Sequence, residues 1–96
     1  MNEFLEILTP VAELLKRKNT DYGNNYCETR REFGPTALLL RLNDKFGRLK
    51  TLTKQQAQVK DESIEDTLKD IIGYCTLELR YLRDEKTCGL TCGWYV

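Results

Sequence analysis

The sequence predicts an all-α domain, a small bundle of three main helices with an irregular C-terminal tail. Three observations predict it. Ile64, Leu68, Ile71, Cys75, Leu79 and Leu82 recur at three- and four-residue steps, which stacks them into one stripe of a long helix from Asp61 to Leu82. Leu38, Leu39, Leu42, Phe46, Leu49 and Leu52 repeat that period after Gly34-Pro35-Thr36. Phe4, Leu5, Ile7, Leu8, Val11, Leu14 and Leu15 give it a third time near the N-terminus.

The first helical pattern is interrupted by Pro10. Thr9-Pro10 fits an N-cap followed by a first helical residue, so the segment is either a kinked helix or a short turn leading into a helix from Pro10 to Lys18. Lys16, Arg17 and Lys18 would close that helix with the positive charge its C-terminal end favours. Asn19 to Asn25 is the strongest loop signal in the chain, because Asn, Asp and Gly tolerate turn geometry and bond their own backbone. Tyr26 to Phe33 is left open between a short helix and irregular structure. In the second main helix, Arg41, Lys45 and Arg48 run along the edge of the apolar stripe, with Asp44 beside them. Gly47 costs about 1 kcal/mol against Ala inside a helix, and either permits a close approach or is incidental. Thr53 to Lys60 is polar and reads as a loop.

The third helix carries more than one stripe. Asp61 or Ser63 can cap it, and Asp61, Glu62, Glu65 and Asp66 suit its positive N-terminal end. A second line, Asp66, Asp70, Tyr74, Leu77 and Tyr81, follows the same steps on another side. This helix therefore has something to bury or bind on two sides, and the second face, with the aromatic tail, is the expected contact of a homo-oligomer. Cys75 lies on the first stripe, where a buried thiol is the expectation. After Leu82 the chain turns polar through Arg83, Asp84, Glu85 and Lys86. Gly89 and Gly93 argue against further helix, and Trp94, Tyr95 and Val96 are expected to pack on the body or on a partner subunit. Nothing in the sequence explains the Thr-Cys-Gly repeat at 87–89 and 91–93.

Ninety-six residues make one small domain (residues 1–96, with a core of about 14–82 and a tail of 83–96), marginally stable alone. Fifteen basic and fifteen acidic residues balance, which argues against nonspecific nucleic-acid binding. No apolar run approaches the ~20 residues that span a bilayer. The N-terminus carries acids where a signal peptide carries bases, so the expected location is cytoplasmic. Cys27, Cys75, Cys88 and Cys92 form no CxxC pair and there is no histidine, which argues against zinc and removes the usual neutral-pH general base. Cys88 and Cys92 could bridge, but a cytosolic setting disfavours it.

Two charged groups could carry chemistry. Arg41, Lys45 and Arg48 share one side of a helix, and arginine forks with a neighbouring lysine suit phosphate oxygens; salt bridging to the acids of the third helix, or plain solvation, is the plainer alternative. Glu62, Asp66 and Asp70 are four apart on one face, a spacing that can hold Mg²⁺ or simply pair with those cations. Tyr22, Tyr26, Tyr74 and Tyr81 offer faces on which a base could stack, against ordinary packing as the alternative.

Three segments together resemble a known family: Lys18 to Asn24, Arg41 to Leu49, and Asp61 to Asp70 with Tyr74. Their order and content look like the small phage and bacterial domain called nucleotide modification associated domain type one, over about Leu14 to Leu82. The resemblance implies an all-helical domain, a phage or bacterial source and a link to nucleotides. A more distant similarity is to the all-α nucleotide pyrophosphohydrolases, which hold Mg²⁺ between acid clusters on two helices. Glu62, Glu65, Asp66 and Asp70 roughly keep the second cluster, whereas Arg41, Asp44, Lys45 and Arg48 stand where the first would be. Cations there disfavour a metal and favour a bare phosphate.

The leading expectation is a protein that binds a nucleotide or nucleotide-derived immune signal and sequesters it without turnover, with no cofactor and host cytoplasm as its setting. Arg41, Lys45 and Arg48 would meet phosphate, Tyr22 or Tyr74 would stack on a base, and Asp21 and Asn24 would hydrogen-bond sugar or base edges. The alternatives are a Mg²⁺-dependent nucleoside triphosphate pyrophosphohydrolase, with Glu62, Asp66 and Asp70 as ligands, and an interaction protein with no small ligand.

Overall fold

In a computed structural model, residues 2–22, 25–54 and 61–86 are described, and the side chains at 20–22, 61–63 and 85–86 lie outside that set. The described residues form four helices: α1 (Glu3–Tyr22), α2 (Asn25–Phe33), α3 (Thr36–Lys54) and α4 (Asp61–Lys86). The fold is all-α, and α4 packs against each of the other three.

α1 starts earlier than Thr9. Asn2 caps it, its Oδ1 accepting the Leu5 amide at 2.9 Å. The helix then runs through Pro10 without a break. Proline removes one ladder hydrogen bond, but every residue from Asn2 to Pro10 is exposed, so water can take the freed carbonyl. α1 also runs past Lys18 to Tyr22, which corrects two expectations. The three basic residues do not end the helix, and Asn19 to Tyr22 are helical despite their turn chemistry. Residues 23 and 24 remain between α1 and α2 and lie outside the described set.

The open question at Tyr26 to Phe33 resolves as a helix. It ends at Gly34, whose φ of 69° is the left-handed region that favours glycine. The Gly34 amide donates to the Arg30 carbonyl at 2.9 Å, closing α2, and the Pro35 carbonyl accepts from Leu39 at 3.2 Å, opening α3. In α3, Ala37 and Leu38 are buried while Leu39 and Phe46 are exposed, so only part of the expected stripe is core. A Cβ at Gly47 would meet nothing within 4 Å, so no close approach explains that glycine.

α4 departs furthest from expectation. The face turned inward carries Thr67, Gly73, Glu78 and Tyr81, all buried, with Asp70, Tyr74 and Leu77 half-buried. The apolar stripe expected to form the core is instead open: Leu68 is 46% exposed and Leu79 67%, and Cys75 is an exposed thiol. The second line, expected to meet another subunit, is therefore occupied within the chain. Periodicity marks both stripes but does not say which one the other helices take. Here the mixed polar and aromatic face wins because its charges meet partners from the other helices, Glu78 from α2 and Asp70 from α1 and α3. Among the described residues no buried side-chain nitrogen or oxygen lacks a hydrogen-bond partner.

α4 continues through Arg83 and on to Lys86, four residues beyond the expected end. The polar segment 55–60 and the tail 87–96, including Cys88, Cys92 and Trp94, lie outside the described residues. Among the described residues no helix is long and apolar enough to cross a membrane. The principal extents are 50 × 32 × 25 Å and the Cα radius of gyration is 15.3 Å, against ~12.5 Å for a compact chain of this length.

Gly34 and Gly47 respond oppositely to one substitution. Gly34→Ala places a Cβ at positive φ and is expected to lower stability by about 1 kcal/mol. Gly47→Ala, in open helical surroundings, is expected to raise it by about 1 kcal/mol. Urea midpoints of the two variants against the parent check both signs.

Candidate functional site

α1, α2, α3 and α4 leave a cavity of about 330 Å³ between them, within the size range of small-molecule sites. Its apolar wall comes from Val11, Leu14 and Leu15 of α1 and Leu77 of α4. Tyr26 and Tyr74 add aromatic wall, with ring centroids 6.5 Å apart. Lys18, Arg41 and Lys69 bring cations and Asp70 one carboxylate. Gly73 also lines it; a Cβ there would sit 3.6 Å from Leu15 Cδ1, an ordinary contact, so the glycine leaves space at the floor of the cavity.

The charges are arranged rather than scattered. Lys45 Nζ lies 2.9 Å from Asp70 Oδ2, and Lys18 Nζ lies 3.4 Å from Oδ1. Burial works against the Asp70 charge, but hydrogen bonding and attraction from Lys45, then Lys18, outweigh it and hold its carboxyl below the ordinary carboxylate value. The Arg41 guanidinium sits 5.4 Å from the Tyr74 ring centroid, a cation–π placement that fixes it at the cavity wall.

Behind this wall lies a group that sequence reasoning missed. Glu78 accepts from Arg30 through both oxygens, Nε to Oε1 at 2.8 Å and Nη2 to Oε2 at 3.0 Å. The Tyr26 hydroxyl donates to the same Oε1 at 2.6 Å. The Arg30 guanidinium also stacks 4.6 Å from the Tyr81 ring centroid. Arg30 is 2% exposed and Glu78 5%. Burial opposes the Arg30 charge, yet the Glu78 hydrogen bonds and attraction raise its pKa above the ordinary value. Burial first, then the bond to Glu78, keeps the Tyr26 phenol protonated well beyond its usual range. The ring of Tyr26 is thus a fixed part of the cavity wall. Only the run of Thr67, Tyr74, Glu78 and Tyr81 at seven, four and three residues hinted at a shared inward face.

The sequence-derived residues divide accordingly. Arg41, Asp70 and Tyr74 line the cavity, and Lys45 reaches it through Asp70. Arg48 is exposed and does not line it. Asp66 is exposed as well. The side chains of Asp21, Tyr22 and Glu62, and all of Asn24, lie outside the described residues. Among the described residues no group of three or more Cys, Asp or Glu side chains is placed to hold a metal ion, and Asp70 is engaged by two lysines. Lys18, Tyr26 and Lys69 also line the site: the sequence places Lys18 only at a helix end, offers Tyr26 as a stacking face on an undecided stretch, and singles out Lys69 for nothing within the long third helix.

Residues 18–82 match the family model described as nucleotide modification associated domain 1. Searches of curated proteins and of solved structures return no match.

Two measurements test this construction. Glu78→Gln is expected to cost about 3–5 kcal/mol in urea unfolding, because Arg30 stays buried without its counter-charge; the double variant Arg30→Met/Glu78→Leu is expected to lose less than Glu78→Gln alone. Asp70, with its folded pKa below the unfolded value, contributes stability that is present above pH ~4 and lost as pH falls through the folded pKa. Thermal melts from pH 6 to pH 2 are expected to show a steeper acid decline in the parent than in Asp70→Asn.

Proposed function

The chain belongs to the nucleotide modification associated domain 1 family, and from that premise we propose that it binds a nucleotide or nucleotide-derived signal in the inter-helix cavity and holds it without turnover. The observation that carries this reading is the cavity's composition: Lys18, Arg41 and Lys69 beside tyrosine rings and an aliphatic wall. A nucleotide pairs an anionic phosphate with a flat, largely apolar base, and this lining offers a complement to each. In this reading Arg41 makes the principal phosphate contact, helped by Lys18 and Lys69. Tyr74, already carrying Arg41 on its face, stacks on the base. Asp70 holds Lys18 and Lys45 in place while the cavity is empty.

Arg41 and Arg48 lie two turns apart on α3, and they separate this proposal from a general attraction for anions. Arg41→Glu is expected to abolish ligand-induced thermal stabilisation by nucleoside phosphates and cyclic nucleotides. Arg48→Glu is expected to leave it within a few-fold of the parent, since Arg48 stands off the cavity. Binding is expected to survive a chelator, and chromatography after heat denaturation is expected to recover the nucleotide intact. Equal losses in the two variants, or recovery of a cleaved product, would overturn the reading.

A further inference from the structure

The face of α4 opposite the cavity carries its own pattern. Leu68, Ile72, Cys75, Leu79 and Leu82 are spaced four, three, four and three residues apart, the 3.5-residue period of a helix–helix seam. Leu68, Cys75 and Leu79 are exposed and Ile72 and Leu82 half-buried, so the seam lies open along about 21 Å of helix. It contains no charge. A polar flank borders it, with Glu65 at one end and Arg83 at the other. These two are eighteen residues apart, five full turns, and so lie on one line beside the seam.

We propose that this seam is the interface of a homodimer, in which α4 of one copy pairs antiparallel with α4 of a second copy. The charges choose the direction. A parallel two-fold pair would put the Glu65–Arg83 line of one chain and that of the other on opposite sides of the seam, so neither charge would meet a partner from that line. An antiparallel two-fold pair sets Glu65 beside Arg83 of the other copy at both ends. The same two-fold stacks Leu68 on Leu79 and Ile72 on Cys75 from the other copy, which makes the patch self-complementary, as an isologous contact requires. Among the described residues Arg83 pairs with its neighbour Asp84 at 2.9 Å, both exposed, a weak bond that a second carboxylate can replace. This interface uses the opposite side of α4 from the cavity, so it stands or falls independently of the ligand proposal.

Sedimentation velocity on the full chain, with reducing agent present, tests it. The parent is expected to sediment at twice its 11.2 kDa mass at micromolar concentration. Leu79→Glu is expected to weaken dimerisation about a hundredfold or more while keeping the helical circular dichroism of the parent. Glu65→Arg and Arg83→Glu are each expected to weaken it several-fold, and the two together to restore it. A parent that remains at 11.2 kDa overturns the proposal, and a lowered melting temperature of Leu79→Glu in that case would assign the face to the chain's own residues 87–96. A Leu79→Glu protein that stays dimeric overturns it too. Failure of the charge swap to restore dimerisation overturns the antiparallel arrangement.

Discussion

The buried pair of Arg30 and Glu78 is the constraint on which the rest of the structure depends. A carboxylate and a guanidinium this deep carry a large desolvation cost, and only bidentate geometry with further partners offsets it. Here the Tyr26 hydroxyl takes up a lone pair of Glu78, and the Tyr81 ring covers the guanidinium. The pair ties the short α2 to the middle of α4. A nine-residue helix is marginal by itself, since nucleation is costly and few bonds follow. Its place is secured by the charge at its centre and by Tyr26 and Cys27 beside it, both buried.

From that anchor the cavity follows. With Tyr26 held by Glu78, one wall is set. α1 closes the opposite side, joined to α4 by the Lys18–Asp70 pair, while Lys45 joins α3 to the same carboxylate. Arg41, resting on Tyr74, joins α3 to the same space. The structural charges and the site charges are thus separate populations on one helix. Glu78 is neutralised inside the bundle, whereas Asp70 sits at the edge of the cavity between two mobile-stemmed lysines. Under the proposed function a ligand phosphate would draw Lys18 and Lys45 from Asp70 and leave the Arg30–Glu78 pair undisturbed.

Much of this was legible in the residues, and the reasons for the rest are physical. The all-α class, the start of α3 after Gly34-Pro35, and the sharing of one line of α4 by Asp70 and Tyr74 came from period and spacing. The lengths of α1 and α4 did not. Asn19 to Tyr22 carry turn chemistry, but a local preference of a few tenths of a kcal/mol per residue yields to tertiary context, here Lys18 paired with Asp70 and Asn19 in the cavity lining. The choice between the two stripes of α4 was hidden for a different reason. Hydrophobicity ranks Leu68 and Leu79 above Glu78 and Thr67, yet a polar group with every partner supplied can be buried at little net cost. The partner of Glu78 was an arginine forty-eight residues away on a segment whose structure was undecided, and no local pattern links the two.

Gly73 lines the cavity across from Leu15 of α1, with no side chain of its own to fill the space between them. The gap it leaves is about one methyl group deep before Leu15 is reached. The room available to an occupant is therefore metered by a hydrogen atom in place of a side chain. Exchanging glycine for alanine or serine at this one position would trim the chamber without touching the charges around it.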